Sequence, residues 1–346
     1  MGTPSISSLA QILRLWFPIL KRMVSSEFHM WCLSGHLAYL WHQRTERGAT
    51  IDYASEMFHR IGTQLVKDRK AAILKEASEK HLQGIGRKDL QGHDLLTQLI
   101  RANMAQDVPK GRRLSDEDVI GQIPTFLLAG HETTGMSSTW ALYSLSRYPK
   151  VQQKLREELV SVPSDTPTME ELSALPYLDA LVTETLRLHP RVAMLPRVAS
   201  KDDVIPLSKP FTDRQGKVHS EIRIAKGNKI IVPIMAMHRS REIWGEDAME
   251  FKPERWQQPP EAISAIPGVW GHLLTFIGGP RAWIGYRFAI IELKAILFTL
   301  VRAFEFELAV PVDDIISKTP FGRPSLLSEP EKGYQLPLNL KPYKAV

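Results

Sequence analysis

Apolar residues recur at helical spacing over most of the chain, and short apolar runs between turn residues appear only after its midpoint. A stripe with a 3.6-residue period predicts a helix with one buried face, and short β-branched runs predict strands. The predicted helices cover residues 9–21, 50–80, 95–100, 116–147, 151–159, 168–174, 177–188 and 284–302. The predicted strands cover residues 197–199, 222–224 and 229–235, the last two joined by a turn at 226–228. The pattern therefore predicts a mainly α fold with a small β region.

Two of the predicted helices begin with residues that can cap their free backbone N–H groups. Ser115 is followed three residues later by Asp118, and Thr168 by Glu171, which is the spacing of a capping box. Pro124 lies inside the longest predicted helix, where its ring removes one backbone hydrogen bond. We therefore expect Pro124 to kink the helix over 116–147 or to delay its first turns.

The composition narrows the range of functions only modestly. The 346 residues are 43% hydrophobic and 24% charged, which is typical of a globular protein of one large or two ordinary domains. The net charge of +6 comes without a dense Lys/Arg run interleaved with aromatic residues, so the sequence argues against nucleic-acid binding. No apolar run is long enough to predict a transmembrane helix. The single cysteine, Cys32, excludes an internal disulfide framework and a cysteine-based zinc site, and its apolar neighbours predict a buried, unreactive thiol.

A glycine-rich segment over residues 276–285 precedes the last predicted helix. The adjacent Gly278 and Gly279, followed by Pro280, cannot continue a helix or a central strand, so they predict a tight loop with exposed backbone. A rigid loop that leads into a helix N-terminus directs backbone N–H groups and the positive end of the helix dipole at whatever lies in front of it. The segment is therefore a candidate binding site for an electron-rich group.

Two further motifs with charged side chains lie within predicted helices. Glu132 and Thr133 lie in the middle of the long predicted helix, close to Gly130. An acid beside an alcohol is by itself most often a surface pair, and the His131-Glu132 pair does not make a zinc protease motif, because position 135 is glycine. Glu184 and Arg187 lie three residues apart on one helical face, a spacing that allows an ion pair but is common in helical proteins.

Taken in order, these motifs resemble those of the cytochrome P450 family. The glycine-rich segment is similar to the haem-binding loop Phe-x-x-Gly-x-Arg-x-Cys-x-Gly, with Phe276, Gly279, Arg281 and Gly285 in register. Residues 129–134 resemble the acid–alcohol motif of the family's long distal helix. The Glu-x-x-Arg motif is followed by the segment 251–256, which resembles the region that carries its third member, Arg255. The position of the family's cysteine is occupied by Trp283, whose indole N–H can donate a hydrogen bond but offers no lone pair to a metal.

The resemblance implies a haem cofactor and a role for each matching residue. By family, Phe276, Gly279 and Gly285 shape the loop against the haem, and Gly130 leaves room beside it. The resemblance places Arg197 and Arg281 at the haem propionates, which guanidinium groups suit; without the resemblance, each would be an ordinary surface arginine. The residues expected to relay protons are Glu132 and Thr133. The residues expected to lock the supporting segment in place are Glu184, Arg187 and Arg255.

Metal ligation by histidine is the alternative to a cysteine ligand. His131, His238 and His272 could ligate iron in principle, yet none occupies the ligand position, so we expect solvated or capping roles for all three. The resemblance therefore predicts haem as the cofactor but no protein ligand to its iron at position 283.

The resemblance also leads to expectations about organisation, partners and activity. Residues 1–45 match the family poorly, and residues 46–346 are expected to form a partial, N-terminally truncated P450 domain. Family members are typically anchored in the endoplasmic reticulum membrane, whereas no anchor or signal is predicted in this sequence. The family implies a monooxygenase that hydroxylates a small apolar substrate with dioxygen and electrons from a flavoprotein reductase. The alternative is a catalytically inactive, truncated relative, because the cysteine thiolate that favours O–O cleavage is missing.

Overall fold

The computed structural model describes residues 46–79, 95–104, 109, 111, 113–318 and 322–343. The chain divides into two compact units, one ending at His131 and one beginning at Glu132. The helix predicted over residues 9–21 and the thiol of Cys32 lie outside the described residues.

Helices are the predominant regular structure of the described chain, which confirms the prediction of a mainly α fold with a small β region. Their bounds are α1 (Glu46–Glu79), α2 (Leu95–Met104), α3 (Asp116–Arg147), α4 (Pro149–Val160), α5 (Met169–Ser173), α6 (Pro176–Leu188), α7 (Ile234–His238), α8 (Arg241–Trp244) and α9 (Tyr286–Ala303). Helix α1 begins four residues earlier than predicted. Of these helices, none combines the length and the apolar character that a bilayer-spanning segment needs.

Helix α3 begins at Asp116 although it contains Pro124, so of the two expected effects the delay of its first turns was wrong and the kink stays a prediction. The predicted cap is present: Ser115 Oγ accepts a hydrogen bond from Asp118 N at 3.1 Å, and Asp118 Oδ2 accepts one from Ser115 N at 2.9 Å. This cap and the burial of Val119 and Ile120 stabilise the first turns, whereas proline removes only one backbone donor. The second predicted capping box, between Thr168 and Glu171 at the start of α5, is also confirmed.

The strands pair two by two, and every pair is antiparallel. The pairs are β1 (Leu195–Val198) with β4 (Lys229–Val232), β2 (Asp203–Thr212) with β3 (Val218–Ile224), β5 (Phe304–Leu308) with β8 (Leu338–Pro342), and β6 (Ile315–Lys318) with β7 (Arg323–Leu326). The sequence pattern identified β1, β3 and β4 in part and did not identify the others. These small sheets are the β region of the fold.

The structure decides the pairing of the predicted strands and shortens the last one. The turn predicted at residues 226–228 forms and connects β3 to β4, and Gly227 in it has a positive φ of 87° that glycine tolerates. The two strands that it connects do not pair with each other. Strand β3 pairs with the preceding β2 across a turn at residues 213–217, and β4 pairs with the more distant β1. The last predicted strand also ends at Val232, because Pro233 lacks the N–H that a paired strand would donate, and α7 follows it.

Each compact unit has its own hydrophobic core. In the unit that ends at His131, apolar residues of α1, α2 and the start of α3 pack together: Val66, Ile73, Ile100, Val119 and Ile120. In the other unit, the main core joins α3, α4, α6 and α9 through Leu145, Leu155, Leu159, Leu178, Leu181, Leu293, Leu297, Phe298 and Val301. A second core of that unit lies where the chain approaches the glycine-rich segment and contains Ile234, Trp244, Ala248, Ile263, Ile266, Leu273 and Leu274.

Candidate functional site

The glycine-rich loop over residues 276–285 is held by close contact of its backbone with the segment before it. A Cβ atom at Gly278 would lie 1.6 Å from the carbonyl oxygen of Pro267, and one at Gly268 would lie 2.0 Å from that of Leu273. Any side chain at either position would force these backbones apart. The N–H of Val269 donates to Ile277 O at 2.9 Å across the same contact. The sequence motif included Gly278 but gave no reason to single out Gly268.

His238 supports this loop through one buried hydrogen bond, in which its Nε2 accepts from the N–H of Leu274 at 2.9 Å. The ring is fully buried, so a solvated role was wrong for His238, whereas its bond to the first N–H of the short helical turn at 274–276 agrees with the expected capping role. Burial, together with the nearby charge of Arg187, lowers the pKa of His238 from 6.5 to about 4. The imidazole is therefore neutral at neutral pH and can accept this bond. His131 and His272 are exposed, which fits the solvated role.

Acidification from pH 6.5 to pH 4 is expected to lower the free energy of unfolding, with a contribution of roughly 3 kcal/mol from His238. The folded state keeps His238 neutral in this window while the unfolded chain takes up a proton. The contribution is therefore complete above pH 6.5 and is lost as the pH falls to about 4. Urea unfolding at several pH values measures the effect in the wild type.

The variant His238→Gln is the matched control for this pH dependence. A glutamine amide oxygen can accept from the Leu274 N–H but does not titrate, so the variant should show a flatter dependence over the same window. Buried His189, whose pKa is also lowered, is common to both proteins and cancels in the difference. Equal slopes for the two proteins would contradict the assignment to His238.

Glu184 and Arg187 form a buried ion pair on α6 that reaches the segment before the loop. Arg187 donates from Nε and Nη2 to the two carboxylate oxygens of Glu184 at 2.8 Å and 2.7 Å, and both side chains are fully buried. Further hydrogen bonds from Arg187 reach the backbone oxygens of His238, Ala248 and Glu250. The pair thereby fixes the backbone on either side of α8.

Arg255 joins this pair, but its own hydrogen bonds are to other groups. Its Nε lies 3.5 Å from Glu184 Oε1, while its Nη1 donates to Asp247 Oδ1 at 2.6 Å. The hydrogen bond from Arg255 and, to a lesser extent, the one from Lys252 lower the pKa of Asp247 from 3.8 to about 2. The Glu184 carboxylate accepts instead from the N–H of Lys252 and from Trp256 Nε1. Asp247 and Trp256 are members of this network that the sequence motif did not single out.

An open cavity lies between the second half of α3, the end of α6, the glycine-rich loop and α9. Its walls are mostly apolar, with a few hydroxyl groups and one guanidinium, and consist of Thr133, Thr134, Ser137, Leu186, Arg191, Val192, Thr275, Phe276, Trp283, Ala289 and Leu293. The cavity brings the alcohol of the helix motif and the centre of the glycine-rich loop to one site.

The two members of the acid–alcohol motif have different surroundings. Thr133 lines the cavity, whereas the Glu132 carboxylate forms an ion pair with the buried guanidinium of Arg323 on β7. Thr134 also lines the cavity, and among the described residues its buried hydroxyl has no hydrogen-bond partner. A Cβ atom at Gly130 would meet no heavy atom of the described chain within 4 Å, so there is open space at this point of α3.

The other predicted binding residues are distributed between the cavity and the surface. Phe276 lines the cavity. The loop residues Gly279, Arg281 and Gly285 are exposed, as is Arg197 on β1, where its Nη1 donates to Pro196 O at 2.9 Å. Neither of these arginines is among the residues that line the cavity, so contact with haem propionates stays a prediction for both. The cavity-lining Arg191 was not singled out from the sequence.

A family model described as "Cytochrome P450" matches residues 13–338, which is most of the chain. The chain belongs to the cytochrome P450 family. This P450 chain is also 54% identical, over 302 residues, to cytochrome P450 monooxygenase 205 of Postia placenta, an alignment that covers 87% of the chain and 55% of that relative. It is 33% identical to ganoderic acid synthetase of Ganoderma lucidum over 321 residues, covering 88% of the chain and 57% of the relative. The chain spans about half the length of these relatives.

Membership of the P450 family implies haem as the cofactor, and the cavity residues fit that group only in part. The mostly apolar walls suit the flat, apolar face of a porphyrin. In the register of the glycine-rich loop, Trp283 is the residue expected at the ligand position; it is 41% exposed and lines the cavity. An indole cannot ligate iron. The residue at this position of the P450 chain therefore does not fit iron ligation.

Proposed function

We propose that the protein is a P450-type monooxygenase that oxidises a small apolar organic molecule with dioxygen. The proposal is supported by the family and by similar proteins that carry the name cytochrome P450 monooxygenase. The observation that carries it in this chain is the mostly apolar cavity between Thr133 of the acid–alcohol motif and Phe276 of the glycine-rich loop. An apolar lining is what binding of an apolar molecule needs.

The chain's own residues would contribute binding and proton transfer. The apolar wall formed by Leu186, Val192 and Leu293 would hold the substrate. The Thr133 hydroxyl would donate or accept a proton inside the cavity, and Glu132 would supply the carboxylate beside it. In this proposal Arg197 and Arg281 contact the cofactor's carboxylates, and the electrons come from a flavoprotein reductase, as in the family.

A second candidate function is favoured by Trp283. A relative without an iron ligand at this position would bind an apolar molecule in the same cavity without oxidising it. Trp283 contributes apolar surface to that cavity, and this surface suits the binding of an apolar molecule. The same indole cannot act as a ligand to iron. The two candidates share the ligand class and differ in whether a product forms.

Turnover of a bound apolar alcohol such as dodecanol distinguishes the two candidates. Protein purified with added haem is supplied with a flavoprotein reductase, NADPH and dioxygen, and oxidised product is measured by mass spectrometry. If the proposal is correct, Thr133→Ala lowers product formation while Thr299→Ala, at an exposed position of α9, does not. Binding of dodecanol without dioxygen-dependent product would favour the non-catalytic candidate.

A further inference from the structure

The side chains that line the cavity offer no ligand to a metal ion. Iron in proteins is bound by histidine, cysteine, methionine, tyrosine or carboxylate side chains. None of these is among the described residues of the lining. His238 is fully buried and accepts from the Leu274 N–H, and His131 and His272 are exposed outside the lining. The described chain therefore recognises a molecule in this cavity without a bond to a metal.

The two aromatic residues of the cavity differ in their own ring contacts. The ring of Phe276 contacts two others, with centroid distances of 5.9 Å to Trp270 and 6.0 Å to Tyr286. The indole of Trp283 contacts no other ring and no cation among the described residues. The backbone N–H of Trp283 donates to Phe276 O at 3.1 Å, which holds the indole's backbone beside the Phe276 residue. The cavity thus contains one large aromatic ring that is free to stack on a ligand.

We propose that the cavity binds a porphyrin by its flat aromatic face, whether or not the ring holds a metal, and that Trp283 stacks on this face. Aromatic rings attract one another in offset-stacked or edge-to-face arrangements, and an indole offers a large surface for such a contact. The apolar walls of Leu186, Ala289 and Leu293 suit the rest of the macrocycle. The residue that opposes iron ligation is then the one that favours the ring. The inference goes beyond the proposed function, because it concerns recognition of the macrocycle and not turnover.

The test compares metal-free protoporphyrin IX with its iron and zinc complexes, which share the macrocycle and its carboxylates. Each ligand is titrated into the full chain as purified, and binding is followed by the shift of the Soret band. The three affinities are expected to agree within about fivefold, because a bond between metal and protein would separate them and even groups that only support a metal ligand contribute 10- to 100-fold.

Variants at position 283 test the role of the indole. Trp283→Leu should weaken the binding of all three ligands by about two- to tenfold, which is the contribution of one aromatic pair. Trp283→Phe keeps an aromatic ring and should retain most of the affinity. Trp283→Cys should raise the affinity for the iron complex and weaken the binding of the metal-free ring. The control Phe288→Leu removes an exposed ring of α9 that does not line the cavity, so it should change none of the affinities. Circular dichroism checks that each variant is folded.

The wild-type comparison keeps the inference testable even if a variant does not fold. A larger preference for either metal complex over the metal-free ring would overturn it, as would failure of all three ligands to bind. Unchanged affinities in folded Trp283→Leu would also overturn it, because the indole would then not be the stacking surface. Product formation is not measured in these titrations. Absence of oxidised dodecanol would therefore refute the proposed function alone, whereas metal-dependent binding would refute this inference alone.

Discussion

Replacing Glu184 with alanine is expected to destabilise the protein by about 3–5 kcal/mol, because it leaves buried positive charge without its partner. The carboxylate accepts hydrogen bonds from Arg187, from the N–H of Lys252 and from Trp256, and it lies 3.5 Å from Arg255. Arg187 would keep its hydrogen bonds to three backbone oxygens but lose the carboxylate that balances its buried charge. A typical protein is stable by only 5–15 kcal/mol, so the loss is a large part of the total.

The size of this effect is measured by urea unfolding followed by circular dichroism. Glu221→Ala is the matched control, because Glu221 also pairs with an arginine, Arg223, but on the exposed strand β3. An exposed ion pair contributes about 0–1 kcal/mol, so the control should change little. A loss below about 1 kcal/mol for Glu184→Ala would show that the network is not what holds the segment before the loop.

Replacing Trp283 with cysteine is expected to raise the affinity for haem by more than about a hundredfold, since even groups that only support a metal ligand contribute 10- to 100-fold. The loop is already shaped by the close backbone contacts of Gly268 and Gly278. The new thiol would lie three residues before the first residue of α9, where the helix dipole favours a thiolate. The substitution also removes the bulk of the indole from the cavity.

Haem titration and the reduced, carbon-monoxide difference spectrum measure this prediction. The wild type should bind haem weakly and lack a thiolate-type Soret band, whereas Trp283→Cys should show that band. Trp283→Ser separates the two causes, because it removes the indole without supplying a thiolate and should not show the band. A strong thiolate band in the wild type would contradict the assignment of Trp283 to the ligand position, and Cys32 would be the sulfur to examine.

Local patterns predicted the helices of this protein well. The bounds of α3, residues 116–147, agree with the sequence pattern, and both predicted capping boxes form. Helix periodicity, caps and turns depend on residues within about four positions of one another, and the sequence displays those relations directly. The ordered motifs also identified the family, and they included Thr133, Phe276 and Trp283, which the structure brings to one cavity.

The sequence by itself determined the longer helices and the family, and it displayed Trp283 where the family motif has its ligand. Only the tertiary structure decided which strands pair, as with β1 and β4, where the partners are separated by some thirty residues. It also decided that His238 supports Leu274, that Glu132 pairs with Arg323, and that Arg191 faces the cavity. Each of these contacts joins residues far apart in the chain. Their formation depends on how whole elements pack and on which charges are buried together, and a local pattern carries neither kind of information.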